Sequence, residues 1–368
     1  MFSPFMLVPC LICLYDILSM IFPLRFSWLV KIFLILLILS GPAKMLIMRM
    51  TPSGFTIPEL TRNIALLLSA MFSFMITAAI MLIVKDIAQV LWRVFLHAKF
   101  PAHYASLTVL ILAAVSTVYG VYQGTRVPDV IRHDVKIPGL AKSFDGLRVA
   151  MIVDIHAGSV NRRPFVESVV DRVNALSPDV ILIPGDFVDG HVKDRKYDLE
   201  PLANLRAKFG VYAVTGNHEY YYDLRGWLET LTGFGIKFLD NEHVTITSGD
   251  SQLVIAGVND PTSGNHDTPR ALKDSPANVP VILMDHQPRF AHDNAKLGVS
   301  LQVSGHTHGG QIPVVFQLVR RVNGGFVRGW YDIDGMKLYV SSGTSQWDGF
   351  PMRLFDPSEI SLFTLHAE

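Results

Sequence analysis

Residues 147–156 read LRVAMIVDIH, and the reading of the whole chain turns on them. Apart from Arg148, residues 147–153 are apolar, a short run that suits a strand buried in a sheet. It stops at Asp154 and His156, side chains able to ligate a metal. Pro164 opens an expected helix over 164–176, because proline's fixed φ suits a first helical turn. The next buried strand, 179–183, runs through Pro184 and Gly185 into Asp186. A third, 211–214, runs through Thr215 and Gly216 into Asn217, His218 and Glu219.

The pattern repeats further along. Residues 279–284 lead into Asp285 and His286, and residues 299–303 into Gly305, His306, Thr307 and His308. A hairpin is expected from 243–247 and 252–258 around Ser248, Gly249, Asp250 and Ser251, with further strands at 337–340 and 360–365. Early βαβ units followed by mostly β structure predict packed sheets flanked by helices. Ligands of such sheets bind beyond the carboxyl ends of the strands. Five strand ends would therefore deliver Asp154, His156, Asp186, Asn217, His218, His286, His306 and His308 to one rim. One such residue alone is more often a turn or a cap, and the weight lies in the ordered set.

That set, D-x-H, G-D, G-N-H-E, H and G-H-T-H, resembles the calcineurin-like metallophosphoesterase family. The run from Gly305 to Gln311, with Ser342-Gly343-Thr344 and Met352-Arg353-Leu354, looks like its membrane-associated bacterial branch. The resemblance covers about residues 145–365 and implies a four-layer α-β-β-α sandwich. It also implies that Asp154, His156, Asp186 and His308 hold one divalent metal and Asp186, Asn217, His286 and His306 a second, Asp186 bridging. Imidazole mixed with carboxylate and amide oxygen suits Mn, Fe, Zn or Co rather than an all-oxygen Mg or Ca cage. Manganese is the first choice. The implied reaction is attack on phosphorus by a hydroxide held between the metals. The resemblance makes His218 the group that protonates the leaving oxygen or binds a phosphoryl oxygen; support of Asn217 is its other reading. Glu219 reads as a helix-start carboxylate, and His191, His243, His266 and His292 as surface or loop groups. Tyr220, Tyr221 and Tyr222 either face the substrate or pack a helix start.

Ahead of this region the composition changes. Residues 1–144 hold 12 Lys+Arg against 5 Asp+Glu, a balance of +7, and residues 145–368 hold 20 against 27, a balance of −7. Residues 64–84 are free of charge and long enough to cross a hydrocarbon core of roughly 30 Å as a helix. Residues 105–122 form a second such run, with Tyr119 and Tyr122 as interfacial anchors. Residues 5–22, with Pro9 and Asp16, and 28–48, with Lys31 and Pro42, complete four expected spans. Residues 1–7 have no Lys or Arg, so the first run does not read as a secretory signal. Asp16 is expected near an interface or beside a partner on a neighbouring span. Cys10 and Cys13 lie in that apolar run and read as small hydrophobes.

The expected organisation is a multi-span α-helical membrane region over 1–124, a connector over 125–144, and the phosphoesterase domain over 145–368. Location in the cell (inner) membrane follows, and loop charges lean towards a cytoplasmic catalytic domain. The partners are the bilayer and a phosphoester. A diester or pyrophosphate, lipid- or nucleotide-linked, is the leading expectation and a phosphomonoester or phosphoprotein the alternative. A non-catalytic sensor that retains metal would go with eroded motif residues, and none is eroded. A balance of −7 argues against polymeric nucleic acid, which needs a basic face. After Gln311, apolar residues 313–316, 318 and 319 beside Arg320 and Arg321 read either as an apolar lip for a phosphorylated lipid or as an ordinary strand and loop. The sequence leaves oligomeric state open.

Overall fold

The structure, a computed structural model, describes residues 4–49 and 60–368. The chain divides into two compact units, Met1–Thr125 with Asp348–Leu354, and Arg126–Trp347 with Phe355–Glu368.

The first unit is helical: α1 (Pro4–Asp16), continued by a π-helical turn over Ile17–Ile21, α2 (Trp28–Arg49), α3 (Arg62–Leu96) and α4 (Ala102–Thr125). Among the described residues, three of these, α2, α3 and α4, are long and apolar enough to cross a membrane. The expected first span is the exception. Its apolar helix, Leu7–Ile21, is shorter, and its last turn is π-helical. The unit turns apolar side chains outward: Leu29 is 81% exposed, Phe95 74% and Val118 73%. Inside, small polar residues satisfy themselves on their own helix. Ser73 Oγ donates to the Ser69 carbonyl at 2.9 Å and Thr77 Oγ1 to that of Ser73 at 2.8 Å. Lys85 Nζ donates to the Ser19 carbonyl at 2.6 Å and pairs with Asp86 at 3.0 Å. Asp16 departs from expectation: it is fully buried, and neither carboxyl oxygen has a hydrogen-bond partner among the described residues. A cavity of 660 Å³ in this unit is lined by Leu37, Phe74, Leu110 and Val121 among others.

The second unit carries two six-stranded sheets. The first is ordered β1 (Asp129–Ile137), β12 (Glu359–Ala367), β2 (Leu147–Met151), β3 (Val180–Ile183), β4 (Val211–Ala213), β5 (Lys237–Phe238). The second runs β10 (Gly329–Ile333), β11 (Met336–Val340), β9 (Leu301–Ser304), β8 (Val281–Met284), β7 (Ser251–Gly257), β6 (Glu242–Ser248). The two-residue side-chain period of a strand feeds separate cores. Val149, Met151 and Leu182 meet Ile255, Ile282 and Leu301 from the other sheet in one cluster. Ala150, Ile181 and Ile183 pack instead with Val166 and Val170 of α5 (Arg163–Ala175) and Trp227 of a helix at Leu224–Gly233. Val254, Leu283 and Leu338 bury the other face of the second sheet.

Two stretches differ from their reading. The expected connector contains β1, which pairs in parallel with β12, Asp129 opposite Glu359. Residues Pro313–Val322 form a helix rather than a strand and loop, with Leu318, Arg320, Arg321 and Val322 exposed. The features that matter for the site are parallel registers. β2, β3 and β4 run parallel in one sheet and β7, β8 and β9 in the other, so each set points its carboxyl ends one way.

Candidate metal centre

All of these strands but β7 stop short and hand metal-capable residues to tight loops. Asp154 and His156 follow β2, Asp186 follows β3, Asn217 and His218 open a short helix after β4, His286 follows β8, and His306 and His308 follow β9. Asp154, His156, Asp186, His306 and His308 all have positive φ, between 43° and 69°. That left-handed backbone costs a non-glycine residue about 1–3 kcal/mol, and such strain collects where surrounding structure enforces a site. The flanking glycines answer to space. A Cβ on Gly216 would strike the Asp186 carboxylate, and one on Gly305 would strike Val153 and approach Asp154 Oδ2 to 2.8 Å.

The expected residues converge in two groups. Asp154, His156 and His308 present one ligand atom each, all within 4.8 Å of one another, and Asp186, His286 and His306 do the same. Asp186 Oδ2 stands between the groups, 3.6 Å from His156 Nε2 and 3.2 Å from His286 Nε2. Asn217 Oδ1 is 3.2 Å from the same His286 nitrogen.

The chemistry of these contacts is informative. The Pro184 carbonyl, 2.7 Å from His286 Nδ1, accepts that atom's proton and leaves Nε2 a lone pair. This lone pair faces a carboxylate and an amide oxygen, both acceptors. Likewise Asp189 Oδ1 accepts from His156 Nδ1 at 3.1 Å, so His156 Nε2 brings a lone pair to His308 Nε2 at 3.2 Å. Acceptors crowded against acceptors repel unless cations lie among them, so this donor set fits metal ions. A metal-free site can relieve the crowding only by taking up protons. The electrostatics run that way: burial opposes charge on the His286 imidazole, but Asp186 and Asp154 raise it well above its ordinary value. Burial would raise the Asp186 carboxyl, yet His286 and His218 hold it well below the usual range. Burial and the neighbouring His286 push His306 down to about 3.

His218 lies against the first group, its ring centroid 4.5 Å from that of His156, and forms a third cluster with His156 and Asp189. Its Nδ1 lies 2.6 Å from Asp189 Oδ1, and its backbone N–H donates to Asp186 Oδ1 at 2.9 Å. Burial works against its charge, but Asp186 and Asp189 lift it to about 9. Tyr221 and Trp347 border it, with ring centroids 5.2 and 6.4 Å away.

Asp189 was not singled out from the sequence. It joins His156 and His218, and its only signal was a second aspartate three residues after Asp186. Glu219 is buried, and its carboxylate accepts from the backbone N–H groups of Gly216, Asp186 and Phe187 at 2.7–3.1 Å. It therefore ties the β4 loop to the β3 loop. His266, read as a loop group, stacks on Phe290 and lies 3.1 Å from the Asp285 carboxylate. Tyr220 bonds Thr215, Tyr222 packs on His191, and Tyr221 borders His218.

Residues 147–310 match the family described as calcineurin-like phosphoesterase. A Danio rerio protein described as a transmembrane protein with metallophosphoesterase domain is 34% identical over 271 residues, 70% of this chain and 61% of the relative. An uncharacterized metallophosphoesterase of Campylobacter jejuni is 34% identical over 267 residues, covering 70% of this chain and 69% of its own. One from Aquifex aeolicus is 35% identical over 230 residues, 60% of this chain and 86% of its own. The chain thus spans less than two thirds of the zebrafish relative's length and more of the two bacterial ones.

Proposed function

Because the chain belongs to the calcineurin-like phosphoesterase family, we propose that it is a membrane-anchored hydrolase of phosphoesters that works with two divalent cations. Asp154, His156, Asp186 and His308 would hold one cation, and Asp186, Asn217, His286 and His306 the other. The carrying observation is the crowding of acceptor atoms around Asp186 Oδ2. When bound, the cations would supply neutralisation of the phosphoryl oxygens and a lowered proton affinity for water. Manganese is our first choice among Mn, Fe, Zn and Co.

The remaining work belongs to the chain's own groups. Asp189 fixes the proton of His218 on Nδ1 and stabilises the imidazolium, so Nε2–H can donate to the departing oxygen. Glu219 holds the loops on which Asp186 and Asn217 stand. Tyr221 and Trp347 give the site an aromatic border that suits a bulky leaving group.

The substrate we favour is a diester or pyrophosphate, lipid- or nucleotide-linked. The 660 Å³ apolar cavity of the helical unit offers room for an acyl chain, and the outward apolar faces of α2, α3 and α4 suit a bilayer. Residues 1–124 would form the membrane region and the C-terminal domain would face the cytoplasm. Purified full-length protein in detergent, loaded in turn with Mn, Fe, Zn and Co, should hydrolyse bis-p-nitrophenyl phosphate faster than p-nitrophenyl phosphate. Faster turnover of the monoester would reverse the substrate class, and no turnover of either, or of nucleotide-linked pyrophosphates, would remove the hydrolase reading.

A further inference from the structure

Gln311 and Ile312 alone separate the helix Pro313–Val322 from the turn His308–Gly310, which carries a candidate ligand. One side of the helix is fixed to that turn: a Cβ on Gly310 would come within 2.9 Å of the Phe316 ring and 3.2 Å of its Cα. Its last turn is closed by the loop that follows. Gly325 N–H donates to the Arg320 carbonyl at 2.8 Å, and Asn323 Nδ2 to that of Val319 at 3.0 Å.

The other side faces water with the wrong residues. A surface helix normally turns polar side chains outward. Here Leu318 is 63% exposed and Val322 60%, against 40% for Ile131 and 41% for Leu297 elsewhere in the second unit. Four residues apart, Leu318 and Val322 share one helix face, and Arg321, three after Leu318, lies beside them. Arg320 and Arg321 are exposed too, and among the described residues neither forms an ion pair. Arg289 adds a third exposed cation without a carboxylate partner among the described residues. Its guanidinium lies over the Phe290 ring, 5.0 Å from the centroid. Its carbonyl oxygen borders the end of the helix, where a Cβ on Gly324 would approach it to 3.0 Å. These arginines gather in a region, 145–368, whose overall balance is −7. Apolar side chains set among unpaired arginines suit the headgroup layer of an anionic bilayer: the aliphatic groups leave water and the guanidiniums meet phosphate.

We propose that the Pro313–Val322 helix docks on an anionic phospholipid surface, inserting Leu318 and Val322 and setting Arg320 and Arg321 against lipid phosphates. Every residue of this surface belongs to the second unit. The docking rests on the membrane-anchored reading for its supply of lipid. Among the described residues, three helices of the same chain are long and apolar enough to cross a membrane, and a tether of that kind makes a weak second contact effective. Because Phe316 packs on Gly310, the docked helix would bring the His308 turn to the lipid surface.

Full-length protein in nanodiscs of phosphatidylcholine, with or without phosphatidylglycerol, tests this. In a background of Cys10→Ser and Cys13→Ser, a nitroxide is attached through Leu318→Cys or, as a reference, through Glu229→Cys on another exposed helix. With phosphatidylglycerol present, the label at 318 should collide more with oxygen, which concentrates in lipid, than with a water-soluble nickel chelate. The label at 229 should do the reverse. Arg320→Gln with Arg321→Gln should shift the docked population towards water about thirtyfold, the usual effect of two basic residues at an anionic surface. A nickel-accessible label at 318 in every disc would overturn the proposal. So would lipid contact that the arginine substitutions leave unchanged. Low collision with both reagents together with spin–spin broadening would mark a second copy of the chain instead, and would overturn it as well. If the chain fails to enter discs, the anchor reading fails, and flotation with phosphatidylglycerol vesicles still decides the docking. Flotation lost in the double arginine variant would support it, and flotation absent from the unsubstituted protein or kept in the variant would overturn it.

Discussion

Both units bury polar side chains, and they handle them in opposite ways. In the helical unit the buried groups are largely satisfied by backbone: Ser73, Thr77, Lys85 and Lys44 all donate to carbonyls. In the second unit, Asp186, Asn217 and His286 turn acceptor atoms on one another, and His156 turns a lone pair towards Asp186. Apart from Asp16 and Thr117, the first arrangement closes its own hydrogen bonds. The second leaves lone pairs facing each other, an arrangement that fits cations. A polar cluster that closes its own hydrogen bonds signals structure, whereas one that leaves lone pairs facing each other signals a ligand. The surfaces differ too, because the helical unit exposes Leu29 and Val118 while the second unit gathers most of its apolar residues around two sheets.

The contrast can be broken at its centre. Asp186→Asn keeps the shape but removes the anion between the two groups. We expect hydrolysis to fall by more than about 10³-fold, beyond the usual cost of one charge-stabilising donor. Membrane extraction should stay unchanged. Turnover that survives would mean that the crowded acceptors do not serve metals in catalysis.

A smaller effect is expected on the other side of the contrast. Val118→Asp puts a charge on an outward face of α4, where a bilayer would charge about 2.5–3.5 kcal/mol for it. Alkaline carbonate should then release more of the protein from membranes. Equal retention of both forms would argue that α4 does not face lipid.

The smallest effect sharpens the account of Asp189. Asp189→Asn should lower kcat about 10–100-fold, as losses of partners that orient ligands typically do, with less effect on KM. Elemental analysis should show metal only partly reduced, because the carboxylate touches His156 as well as His218. Loss of metal without further loss of rate per bound metal would confine Asp189 to the His156 side.

Much of the second unit is legible residue by residue. The strands β2, β3, β8 and β9 announce themselves because a buried strand must be apolar and short, and the polar residue that ends each one is adjacent in the chain. β1 escaped because its partner, β12, lies 230 residues away, Asp129 against Glu359. Its mixed charges carry no period until that pairing is known. The Pro313–Val322 helix escaped because an apolar run next to arginines fits a lip, a strand or a helix equally well over ten residues. Asp189 escaped because nothing local distinguishes an aspartate that orients two histidines from one that caps a turn.

What the amino-acid order alone determined, then, was which residues end the strands and which stretches are too apolar for water, since both follow from side-chain period and transfer free energy over a few turns of chain. Tertiary structure alone decided that Asp186 sits between two groups of ligand atoms, that Asp189 serves His156 and His218 together, and that Lys44 grips carbonyls some 300 residues away. Those are pairings between distant segments, chosen by the packing of whole sheets and helices rather than by anything a neighbouring residue can specify.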